Sequence, residues 1–228
     1  METRRTFDRE LQSLQDEMLA LGSMVENALI ESVACLKRRD FEGSHRLMAQ
    51  DRVINRKRYA IEEQVLVLIA TRQPMASDLR ILAAILEIAG ELERIGDYAK
   101  GIGKINLLIG DQPLLKPLID VPMMAEQARS MLHRALDAFI RRDVELARAI
   151  PQEDDLVDAL YEQVYRELLT YIMEDPRNIE QANYLLWAAH NLERAADRVT
   201  NLCERVVFTV TGELTELDVK KESQLDVR

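Results

Sequence analysis

Glycine, proline and aromatic residues are scarce in this chain: 228 residues hold 8 Gly, 6 Pro and only 5% Phe, Trp and Tyr. So few turn formers and β-favouring aromatics exclude a sandwich or barrel of many short strands. Cysteine is limited to Cys35 and Cys203. Both sit far apart inside helical patterns, so they are expected to be reduced core residues of a cytosolic protein, not a disulfide or a metal site. Basic residues are outnumbered 40 to 30, a net charge of −10, which argues against non-specific nucleic-acid binding or docking on anionic lipid and permits cation binding. No run approaches 18 apolar residues, so no membrane span is expected. The charged opening "METRRTFDREL" has no apolar stretch behind it, so no signal peptide is expected either. Glycine-rich phosphate loops, zinc spacings and a nucleophile with an evident base are also missing. Nothing in these motifs points to an enzyme.

What remains is 47% apolar and 31% charged sequence with helical periodicity almost throughout. Leu11, Leu14, Met18, Leu21, Val25, Leu29 and Leu36 define a buried stripe over 7–38. A break near "RRDFEG" leads to a second helix over about 42–72, with Ile54, Ile61, Val65 and Leu68 on one face. Pro74 ends it, and a third helix starts at Ser77 or Asp78 and runs to about Leu108. "GDQPLLKPLIDVP" then places three of the six prolines within a short stretch and reads as a linker.

Beyond the linker the pattern recurs. Arg38, Arg39 and Asp40 match Arg141, Arg142 and Asp143; Asp51 falls on Asp154 and Asn55 on Asp158; "LERIGD" (92–97) falls on "LERAAD" (192–197). The chain is therefore expected to be an internal duplication. The expected all-α fold is two tandem three-helix bundles: the first over 1–110, a proline-rich linker over 111–122, the second over 123–212 ending at Gly212, and a polar tail over 213–228.

The carboxylates are spaced unusually. Glu93/Asp97, Asp154/Asp158 and Glu193/Asp197 are i,i+4 pairs, and like charges at that spacing repel by roughly 0.2–0.5 kcal/mol. On the last helix Leu185, Ala188, Leu192, Ala196, Val199, Cys203, Val206 and Val210 form the core stripe. Glu193, Asp197 and Glu204 run along its flank, with Asn201 a little further round. Single acids on a flank are usually solvated, with Arg94, Arg194 and Arg198 near enough for surface ion pairs of small value. Their pairing in matching positions of two repeats favours instead a shared cation or a basic partner. Carboxylates with an amide suit Mg²⁺, Mn²⁺, iron or Ca²⁺. The second half offers Asp154, Asp158, Glu193, Asp197, Asn201 and Glu204, whereas the first has Asn55, Gly101 and Lys104 at three of the matching positions. The second half should hold metal more strongly. "HNLE" reverses the Glu-x-x-His order of di-iron bundles and occurs once, which leaves His190 a peripheral ligand at best. His45 and His133 show no partner.

The duplicated three-helix plan, "QPMASDLR", "LERIGD" and "LERAADRVTNLCE" together resemble the PhoU family of phosphate-transport regulators, over essentially the whole chain. The resemblance implies a cytoplasmic, often dimeric protein with metal ions (Fe, Mn, Zn or Mg) on the surface lined by its signature acids. Carried over by position, these acids are Glu93 and Asp97, Glu193 and Asp197, with Asp51, Asp154 and Asp158 on the second helix of each half. It implies accessory, negative regulation of a phosphate ABC transporter, with the transporter's ATP-binding subunit and a sensor histidine kinase as partners, and no nucleic acid or membrane insertion. Gly101 and Lys104 depart from the family pattern, where Asn and Glu are more usual. A metal-dependent enzyme and a helical metal-binding scaffold are the alternatives at this stage.

Overall fold

The computed structural model describes residues 2–217, with side chains from Arg5 onward; residues 218–228 of the expected polar tail lie outside the described residues. The first half is three long helices, α1 (Glu2–Arg38), α2 (Phe41–Arg72) and α3 (Ser77–Ile109). The second is α4 (Asp120–Arg141), a short α5 (Val144–Ala149), α6 (Asp154–Glu174) and α7 (Ile179–Thr211). No strand occurs among the described residues.

The repeat is visible in its turns. Arg39 and Arg142 close α1 and α4 in the left-handed region, at φ 57° and 55°. Asp40 N and Asp143 N each donate back to the carbonyl five residues earlier, at 2.9 Å. The Asp40 and Asp143 side chains then cap the next helix, accepting from Gly43 N at 2.7 Å and Leu146 N at 3.0 Å. One local motif, RRD, thus fixes the same corner twice. The copies diverge immediately afterwards. Pro151 cannot donate to the helix ladder, and Ile150–Glu153 tightens into a 3₁₀ turn that separates α5 from α6. The second helix of the second half is therefore two pieces, where the repeat alone suggested one.

The α1 stripe from Phe7 to Leu36 is buried throughout and joins a single continuous core with residues of both halves. By length and composition α1 would be apolar enough to cross a membrane, but half of its most apolar window is buried inside the protein, and that face is the bundle core. Between the halves, α3 packs along α7 in antiparallel register. Arg80 lies against Gly212, and Gly101 faces Asn191; Glu87 pairs with Arg205 and Glu91 with Asn201. A second seam runs between α1 and α4, where Leu136 rests on Gly22 and His133, for which the sequence suggested no partner, meets Glu26 at 3.2 Å.

The linker is fastened to the second half. Buried Gln181 accepts from Leu115 N and donates to Pro113 O at 2.9 Å, while Lys116 pairs with Asp120 and Glu167. α4 starts at Asp120, inside the stretch expected to be linker, because Leu118 and Val121 are already buried. At the other end α7 stops at Thr211, with Gly212 at φ 80° as expected of a C′ glycine. Cys35 and Cys203 are both buried and unpaired with each other. Burial pushes their thiols up to about 11 and about 12, which keeps them protonated and unreactive.

Candidate functional site

The acids gather into two clusters, one per half, each between the second and third helices of its repeat. In the first, α2 contributes Asp51, Asn55 and Arg58, and α3 contributes Glu93, Asp97 and Lys100. Asp51 is only 4% exposed. It sits at the inner edge of its helix, one turn from the fully packed Ile54. Lys100 Nζ donates to Asp51 Oδ2 at 2.8 Å and to Asp97 Oδ1 at 3.2 Å. These bonds, Asp51 first, push the ammonium above the usual lysine range. Asn55 Nδ2 stands 3.5 Å from the same Asp51 oxygen. Burial, and then the charge of Asp97, hold Glu93 above the usual glutamate range, while the nearby Arg58 charge pulls it down. Arg58 itself pairs with Glu62 at 2.8 Å.

The second cluster is built on the same frame with different chemistry. Asp154 opens α6 at 6% exposure, Asp158 follows one turn later, and α7 presents Glu193 and Asp197. At the positions matching Arg58 and Lys100 stand Tyr161 and Thr200. Six matching positions thus carry three carboxylates and two cations in the first half, but four carboxylates and no cation in the second. Burial raises Glu193 above the usual glutamate range; the Asp158 and Asp197 charges add to that and His190 opposes it. His190 Nδ1 lies 3.3 Å from Glu193 Oε2, an ion pair only when the ring is protonated, and its ring centroid is 6.0 Å from that of Tyr161. Asp197 pairs with Arg194 at 3.2 Å.

Asn201 and Glu204, expected on the same acidic line, are turned to other partners. Asn201 donates to Glu91 of the first half at 3.3 Å, and Arg198 reaches the same carboxylate at 3.5 Å. Glu204 accepts from Leu217 N at 3.1 Å and pairs with Arg205. Arg194 and Arg198 also engage the Tyr98 hydroxyl, so these arginines belong to the seam between halves, not to a solvated surface. The expected neutraliser of the first site, Lys104, is exposed; the ammonium among the acids is Lys100. Lys100 is three residues after Asp97 and Arg58 three after Asn55, so the helical spacing that grouped the acids also groups these cations with them.

Whether a metal fits differs between the clusters. The second brings four carboxylates onto the facing helices α6 and α7, with Arg194 beside Asp197; that donor set suits a hard divalent cation, although among the described residues the ligand atoms that already lie within 4.8 Å of one another are those of Glu31, Cys35 and Asp40. In the first, an ammonium already bridges two of the three carboxylates, and the donor set does not suit a metal while Lys100 is there.

An all-helical, internally duplicated protein with a carboxylate cluster in each repeat is a narrow class. The PhoU domain pattern matches the chain twice, over residues 18–105 and 121–206, and the chain belongs to the PhoU family. It is 36% identical, over 90% of its length and 87% of the relative's, to the phosphate-specific transport system accessory protein PhoU homolog of Rhizobium meliloti (strain 1021). It is 37% identical, over 91% and 86%, to the phosphate-specific transport system accessory protein PhoU of Escherichia coli (strain K12). Among solved structures, PhoU from Pseudomonas aeruginosa superposes with a TM-score of 0.85 at 35% identity, covering 91% of this chain and all of that one. The phosphate transport system regulatory protein PhoU from Streptococcus pneumoniae superposes with a TM-score of 0.84 at 32% identity, over 92% and 99%.

Proposed function

We propose that this protein is a non-catalytic accessory regulator of a phosphate-specific transport system. The observation that carries the reading is the match of both repeats to the family, over 18–105 and 121–206, with relatives so named that align over nine-tenths of the chain. In this reading the protein acts in the cytoplasm, as a homodimer. It restrains phosphate uptake and starvation signalling by binding the transporter's ATP-binding subunit and a sensor histidine kinase. Asp154, Asp158, Glu193 and Asp197 would hold a divalent cation (Mn, Fe, Zn or Mg). The ion would neutralise the crowded carboxylates and tie α6 to α7, fixing the acidic face that partners meet.

Gene deletion tests the regulatory claim. Phosphate-replete cells lacking the protein should express starvation genes constitutively, and the intact gene should restore repression. Unchanged expression in the deletion strain would contradict the reading. Pull-down with the ATP-binding subunit and the kinase, each alone, identifies the direct contact.

A further inference from the structure

The two clusters share their backbone frame and differ in charge at three positions, Asn55 against Asp158, Arg58 against Tyr161 and Lys100 against Thr200. Arg58 is held by Glu62 at 2.8 Å, so it is not the group that closes the first cluster. Lys100 is: its ammonium stands between Asp51 on α2 and Asp97 on α3, at 2.8 and 3.2 Å. These are the oxygens that a cation bridging the two helices would use. Asp51 is nine-tenths buried and more, and its Oδ1 has no hydrogen-bond partner among the described residues. Its other oxygen has Lys100 and, at the limit of hydrogen-bond distance, Asn55. A buried carboxylate left without a counter-charge is strongly destabilising, so removing the ammonium leaves Asp51 to be neutralised by a proton or by another cation.

We propose that Lys100 is the built-in counter-ion of the first cluster and the residue that confines metal binding to the second. Lys100→Thr, which installs the residue found at position 200, opens a second divalent-cation site on Asp51, Glu93 and Asp97. A divalent ion cannot share those oxygens with the ammonium, because like charges would stand within a few ångströms in a partly buried place. Lys100 thus makes a duplicated protein asymmetric: one repeat is stapled by its own side chain, the other by an ion taken from solution. That the second repeat holds the ion rests on the reading above; the exclusion at the first does not.

The experiment is a Mn²⁺ titration, followed by calorimetry and by the EPR signal of free Mn²⁺, on full-length protein. The background is Glu193→Gln/Asp197→Asn, which disables the second cluster. With Lys100 present this protein should bind no Mn²⁺ tightly. With Lys100→Thr added it should bind one per chain, at least tenfold tighter than the background, and Lys100→Arg should gain nothing. Mn²⁺ bound in the background and lost on Asp97→Asn would overturn the proposal, as would a folded Lys100→Thr protein that gains no site. If Lys100→Thr unfolds, Asp97→Asn in the otherwise unaltered protein decides. Unchanged Mn²⁺ stoichiometry supports the proposal, and loss of one ion per chain overturns it. Failure of the underlying metal reading looks different: wild type would bind no Mn²⁺, while the Lys100→Thr variants would still gain a site.

Discussion

The two repeats solve the same problem in opposite ways, and they do so twice. Around the carboxylates, the first half places Lys100 between Asp51 and Asp97, while the second has four acids and no lysine at the matching position. At the corner between the first two helices the contrast lies in polarity. Fully buried Asn106 donates to Ser44 Oγ at 2.9 Å and to the carbonyls of Cys35 and Asp40, and accepts from Arg39. Arg39 also reaches Gly110 O at the end of α3. The matching positions in the second half are Ala138, Ala147 and Val206, all buried and apolar. The first half has a polar corner and a lysine among its acids; the second has an apolar corner and a face richer in carboxylates. A duplicated fold can thus keep one repeat as scaffold and leave the other chemically open.

That comparison can be broken most severely at Asp197. Asp197→Ala should reduce Mn²⁺ affinity at least tenfold, while Asp97→Ala should leave it within twofold; elemental analysis after purification without chelator checks both. If Asp97→Ala removed more metal than Asp197→Ala, the assignment of the open repeat would be reversed. Next in size is the polar corner. Asn106→Val should cost about 1–3 kcal/mol in urea unfolding, because it removes the acceptor of Arg39 and one bond each at Ser44 Oγ and the Cys35 and Asp40 carbonyls. Adding Ser44→Ala should recover part of that loss, since it moves the first half towards the apolar solution of the second.

Glu193 sharpens the contrast through pH. Its folded-state carboxyl is raised above the ordinary value of 4.5, chiefly by burial. The folded protein therefore binds the proton more tightly than the unfolded chain between that value and the raised one, and stability falls as pH climbs through this window. Glu193→Gln should accordingly melt higher than wild type at neutral pH without metal, with a flatter pH dependence between pH 4 and 7. Glu93→Gln should act in the same direction, because burial and then the Asp97 charge also hold that carboxyl above its ordinary value. The smallest effect concerns the twin corners. Arg142→Gly relieves a left-handed backbone position of an exposed arginine and should be neutral or stabilising by up to about 1 kcal/mol. Arg39→Gly, by contrast, loses the bonds to Asn106 and Gly110 and should destabilise.

Local chemistry was what the sequence made legible. The RRD break marks the first corner and its repeat the second, while Pro74 and Gly212 mark the helix ends at Arg72 and Thr211, so these could be read before any packing was known. The buried stripes of α1 and α7 followed from periodicity alone. Pro151 had a local signal too, but the repeat overrode it and suggested one unbroken helix. The acids Asp51, Glu93, Asp97, Asp154, Asp158, Glu193 and Asp197 were found because i,i+4 like charges are costly and therefore conspicuous. Lys100 and Arg58 lay on the same spacing and were missed, because cations beside acids read as ordinary ion pairs. Asn201 and Glu204 share a helix flank with Asp197, but their partners come from Glu91 on α3 and from the segment around Leu217. Those are choices set by how the halves pack, and no single helix contains them.

The most direct test is the number of Mn²⁺ ions bound per chain by the unaltered protein, counted beside Glu193→Ala/Asp197→Ala and Asp51→Ala/Asp97→Ala. Metal bound by wild type, lost in the first double variant and retained in the second, is the result expected of one open and one self-neutralised repeat. Equal loss in both variants, or loss only in the second, would contradict it.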